Sequence, residues 1–210
     1  MSTQPSRPRQ RLFARLASIA LTVAATVAAV GAIAMPARAD NFGGCYGPLT
    51  DQGCVPDNFN HWYCYDESVG TINQTFRTQI VAAMVYLHDN TSYDQFFEPN
   101  GVCNAASDVV WQVTTAVAPN RGDYACLTFN SAGRCEQARL RLNPNLLTDT
   151  HNRRKTACHE LGHSVGLAHG QFGASTPEFY DDCMRTGPVN TETRFQQLNL
   201  HHRTHANNRA

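Results

Sequence analysis

The run His159-Glu160-Leu161-Gly162-His163-Ser164-Val165-Gly166-Leu167-Ala168-His169 constrains this chain more than any other segment. Histidines four residues apart project from one face of a helix, so His159 and His163 are expected side by side on a helical segment. Gly166 lets the backbone leave that helix at positive φ and swings His169 back toward the first two imidazoles. Three histidines can hold one zinc ion and leave a coordination position open, which marks a catalytic rather than a structural site. Glu160 stands between the first two ligands, where its carboxylate can reach water activated by the metal.

The run satisfies H-E-x-x-H-x-x-G-x-x-H at every specified position and resembles the zinc signature of the metzincin metalloproteases. A second piece, Asp182-Cys183-Met184-Arg185-Thr186-Gly187, resembles the family's methionine turn, with Met184 standing 15 residues beyond His169. The resemblance covers roughly residues 150 to 190. It implies an α+β fold, a twisted mixed sheet with an active-site helix and a C-terminal helix. It also implies one catalytic zinc ion on His159, His163 and His169, with Met184 beneath it. Glu160 would be the general base in the hydrolysis of peptide bonds by a metal-activated water, as in a secreted, matrixin-like bacterial enzyme. The substrate would be an extended polypeptide paired to a rim strand, either 137–142 or its hairpin neighbour. Two departures limit the likeness. Thr186 occupies a position where some metzincin groups carry tyrosine, and Gly53-Cys54-Val55-Pro56-Asp57 lacks the ordering of a matrixin cysteine switch.

The N-terminus reads as a targeting segment. Arg7, Arg9, Arg11 and Arg15 lead an uncharged apolar stretch that closes with Ala37-Arg38-Ala39, an A-x-A cleavage site. The stretch is also long enough for a retained membrane anchor, but the cleavage signal and its Ala richness favour removal. The expected organisation is a signal peptide over 1–39, a disulfide-pinned segment over 40–60 and a catalytic domain over 61–210. Without residues 1–39 the chain has 12 Lys plus Arg against 17 Asp plus Glu. That net negative charge argues against a nucleic-acid partner. A secreted monomer with no membrane attachment after cleavage is the expectation. Arginine outnumbers lysine 16 to 1, a bias expected of a high-GC bacterial source.

All eight cysteines lie beyond the targeting segment, and an even count in an exported chain reads as disulfides. Cys126 and Cys135 flank Asn130-Ser131-Ala132-Gly133, a turn between strand-like runs, and should face each other across a hairpin. Cys45 and Cys54 enclose a Gly/Pro-rich loop. The resemblance brings the zinc helix and the methionine turn together, which implies Cys158 with Cys183 and leaves Cys64 for Cys103.

Ile72, Phe76, Ile80, Ala83, Met84 and Leu87 form a helical stripe over 71–89. Strands are expected near 108–117, 124–129 and 137–142. A helix from about Asn152 carries the zinc motif, with Asp149 or Thr150 as cap, and a short helix near 192–203 follows. His61, His88 and His151 read as ordinary surface or core residues. His201, His202 and His205 read as a polar helix tail, against a second metal or substrate contact. Calcium at Asp181-Asp182 is conceivable, although two acids are ordinary in a turn. Two other functions stay open: a secreted binding module without turnover, and a zinc hydrolase of a non-peptide amide.

Overall fold

The structure, a computed structural model, describes residues 54–169, 181–189 and 191–208. The expected signal peptide lies outside the described residues, as do Cys45 and most of the disulfide-pinned segment. The fold is α+β. Five strands form one mixed sheet: β1 (Asn60–Tyr65), β2 (Asp94–Phe97), β3 (Val109–Val113), β4 (Gly122–Phe129) and β5 (Cys135–Leu142). Their order is β2-β1-β3-β5-β4, parallel throughout except that β4 runs antiparallel to β5. Among the described residues three α-helices accompany it: α1 (Gln74–Asn90), α2 (Thr150–Ser164) and α3 (Leu200–Asn207).

The apolar stripe of α1 behaves as its spacing predicts. Phe76, Ile80, Ala83, Met84 and Leu87 are buried, and Asn73 caps the helix by accepting from the Phe76 N–H. All five residues of β3 are buried, as befits the strand at the middle of the sheet. In β5, Ala138, Leu140 and Leu142 are buried while the residues between them are more open, the expected period of two; Cys135, also buried, lies beyond a register shift in the β4–β5 pairing. The helix expected near 192–203 divides into a 3-10 turn at Thr193–Gln196 and α3, which Asn199 caps through the His202 N–H.

Two strands escape a reading by periodicity. β1 opens on Asn60 and His61, polar residues that conceal it. His61 is nevertheless buried, with Nε2 3.3 Å from Ser164 Oγ and its ring edge-on to Tyr93. Burial pushes its pKa down to about 4. β2, Asp-Gln-Phe-Phe, has no alternation and exposes both phenylalanines.

Three disulfides have both cysteines among the described residues: Cys64–Cys103, Cys126–Cys135 and Cys158–Cys183. Cys126–Cys135 spans the β4–β5 hairpin. Cys54 is disulfide-bonded and buried, so it is not the free thiol a cysteine switch needs. No helix among the described residues is long and apolar enough to cross a membrane.

Candidate metal centre

Helix α2 starts at the Asp149 cap, whose side chain accepts from the Asn152 N–H at 2.9 Å. It ends in a Schellman motif: Gly166 N–H donates to the His163 carbonyl and Leu167 N–H to that of Gly162. The motif requires its left-handed residue at Gly166, whose φ is 88°. The chain then doubles back and delivers His169 to the face that carries His159 and His163.

The three ligand atoms lie within 4.8 Å of one another, and this is the one such group of three among the described residues. His169 Nε2 is 2.8 Å from His159 Nε2 and 3.1 Å from His163 Nε2. The outer nitrogens decide what this means. His159 Nδ1 meets the Cys183 carbonyl at 2.8 Å and His163 Nδ1 meets the Leu167 carbonyl at 2.7 Å. A carbonyl only accepts, so both Nδ1 atoms carry protons and both neutral rings aim an Nε2 lone pair inward. A single shared proton cannot satisfy three converging nitrogens. A cation can, and the donor set suits a borderline metal such as zinc. Burial, followed by the charge of Lys155, depresses the pKa of His159 well below its ordinary value. Burial, followed by His169, brings His163 down to about 3. Both rings are held neutral, the form that ligates.

Beneath the ligands, Met184 is buried against α2 at Gly162, where any Cβ would collide with its Sδ. Cys158–Cys183 ties the same turn to the helix. Asp182 organises the turn from within. Its Oδ1 accepts from the Met184 N–H at 2.8 Å, and its Oδ2 accepts from the Asn199 N–H at 2.9 Å and from His202. Asp182 and His202 are both fully buried. His202 is therefore no polar helix tail: it locks α3 to the turn under the site. The rings of His201 and His205 meet at a tilt of 52°, with centroids 4.4 Å apart. Asp181 pairs with Arg194, so both acids of the conceivable calcium site are engaged by protein groups.

Above the ligands a cleft of about 480 Å³ opens, lined by Arg121, Gly122, Asp123, Lys155, Thr156, Glu160, Thr186 and Gly187 besides the histidines. Gly122, the first residue of β4, is indispensable to it. A Cβ there would lie 2.5 Å from Glu160 Oε1 and 2.9 Å from the Arg141 carbonyl. In sequence Gly122 looks like part of an ordinary turn, which hid this role. Asp123 is neutralised across the hairpin by Arg141. Of the two strands expected as the rim, 137–142 is ruled out: β5 lies between β3 and β4, with its backbone paired on both sides. β4 forms the edge of the sheet on this side. A larger groove of about 750 Å³, lined by Tyr63, Tyr65, Arg77, Val81, Val85 and Phe97, contains no metal-ligating group.

No protein-family profile matches the chain, and no characterised protein matches it. Any functional assignment therefore rests on this geometry and on the motif.

Proposed function

We propose that the chain is a secreted zinc-dependent endopeptidase with a metzincin-like catalytic domain. The observation that carries this reading is the convergence of three Nε2 atoms in a cleft that also holds a buried carboxylate. His159, His163 and His169 would hold the metal. A zinc ion bound there would supply Lewis acidity, lowering the pKa of water and polarising a carbonyl.

The remaining work falls to the chain's own residues. Glu160, buried beside the histidines, takes a proton from the attacking water at its carboxylate and returns it to the departing amide nitrogen. Gly122 keeps room for that carboxylate. The edge of β4 offers main-chain groups to an extended polypeptide, which adds to the sheet as a further strand. Cys183 and Leu167 hold the ligating rings in the correct tautomer, so the seat need not reorganise when metal enters. The three disulfides suit an oxidising compartment outside the cytosol.

A binding module without turnover is the weaker reading, because nothing would then require a carboxylate and a glycine cradle for it. The deciding experiment incubates the purified chain with a denatured protein, with and without chelator, and maps the cuts by mass spectrometry. Cleavage that vanishes with chelator and returns with zinc supports the reading. Stoichiometric metal binding with no cleavage of proteins or peptides would overturn it.

A further inference from the structure

The chain's single lysine, against 16 arginines, is Lys155. It lies on α2 and is 4 % exposed, and what it lines is the cleft of His159, Glu160, Thr186 and Gly187. Lysines buried to this degree are nearly always paired. The ion pairs among the described residues are made by other side chains, none by Lys155.

The charges acting on it are Glu160 and Asp182, which attract, and Arg121 and Arg185, which repel. Neither acid is its dedicated counterion. Asp182 is committed to His202 and to the Met184 and Asn199 N–H groups. Glu160, the stronger of the two, lines the same cleft five residues further along α2, but no ion pair joins it to Lys155. Lys155 shares its face with His159, one turn or about 6 Å away along the axis. That separation is about the span of one or two residues of an extended chain. The other acid in the cleft, Asp123, is taken by Arg141. The cleft thus holds one buried cation without a fixed partner, a residue or two from the reacting point.

We infer that Lys155 selects substrates bearing a carboxylate on a residue flanking the scissile bond. This inference rests on the hydrolase reading of the same site. The carboxylate can come from an Asp or Glu side chain or from a chain terminus that ends just past the bond, and the two sources are separable.

The test uses the zinc-loaded full chain and matched peptides that differ only in Glu against Gln at each position flanking the cut. A further pair ends in a free acid or an amide one residue beyond it. Wild type should favour one carboxylate peptide over its neutral partner by about ten- to a hundredfold in kcat/KM, the range of a hydrogen bond to a charged group. In Lys155→Met that ratio should collapse to within about twofold, while Lys155→Arg should retain most of it. Lys155→Glu should turn the preference toward lysine. Selectivity confined to the free-acid pair would assign the site to a chain terminus. Equal cleavage of all pairs by wild type, or an unchanged ratio in Lys155→Met, overturns this inference and leaves the hydrolase reading standing. A wild type that cuts no peptide removes both.

Discussion

The Cys158–Cys183 bridge should matter to the metal as well as to the fold, and a second disulfide in the same chain provides the control. Its cysteines are 25 residues apart. In the loop-entropy treatment, removing such a crosslink costs about 3.5 kcal/mol at 25 °C. Cys126–Cys135, with a separation of 9, should cost about 2.6 kcal/mol on the same basis. The two losses therefore differ by only about 1 kcal/mol. Their effects on the site should diverge. The Cys183 carbonyl receives the His159 Nδ1 proton at 2.8 Å, whereas Cys126 and Cys135 are absent from the cleft lining. Freeing Cys183 loosens the group that aims His159. Loss of an outer partner of this kind weakens metal binding by about 10- to 100-fold. Urea melts in chelator would compare Cys158→Ala/Cys183→Ala with Cys126→Ala/Cys135→Ala for stability. Competition with a chromogenic zinc chelator would compare their affinities. We expect similar stability losses and a metal deficit confined to the first variant. Equal zinc affinity in both variants would refute the coupling between bridge and ligand.

Glu160→Gln should keep zinc and fold yet lose about a hundred- to ten-thousandfold in hydrolysis; a variant retaining a tenth of wild-type turnover would exclude Glu160 as the base. His169→Ala should fail to hold zinc tightly, and full occupancy by metal analysis would contradict the three-histidine seat. His61 gives a pH signature in the metal-free protein. Its folded pKa is about 4, below the 6.5 of an unfolded histidine, so the unfolded chain binds the extra proton. The stability tied to its neutral form is complete above about pH 6.5 and is lost as pH falls toward about 4, on the order of 3 kcal/mol in all. Urea midpoints across that range should fall further for wild type than for His61→Gln, and parallel curves would dismiss the effect.

The parts legible in sequence are those governed by local spacing. The stripe of α1, the alternation of β5, the Asp149 cap and the Gly166 turn all depend on residues within a few positions of one another, and each is found where the pattern puts it. Of the disulfides, only Cys126–Cys135 is read from a local turn; Cys158–Cys183 is implied by the resemblance, and Cys64–Cys103 is the pair left over. What escaped depends on distant partners. Asn60 and His61 look like loop residues until Ser164 and Tyr93 are folded against them. Gly122 looks like a turn residue until Glu160 is placed beside its missing Cβ. His202 looks like a polar tail until Asp182, 20 residues upstream, is buried against it. Hydrophobic period carries no information about any of these contacts.

The two inner ligands are aimed by different means, and this sets how the site depends on the rest of the fold. His163 is oriented by the Leu167 carbonyl, four residues along, a bond supplied by the same Schellman turn that returns His169. His159 is oriented by Cys183, 24 residues away, and that carbonyl has no such local support. It is fixed by the Cys158 bridge, by the Cys183 N–H donating to the Gln197 carbonyl at 2.9 Å, and by Asp182, which His202 and Asn199 hold from α3. The motif therefore supplies three donors but fixes the direction of only one of its inner pair. The Nε2 lone pair of His159 is turned toward His169 because the C-terminal helix is docked. Two buried, paired groups, Asp182 and His202, join that docking to the cleft, although neither lines it.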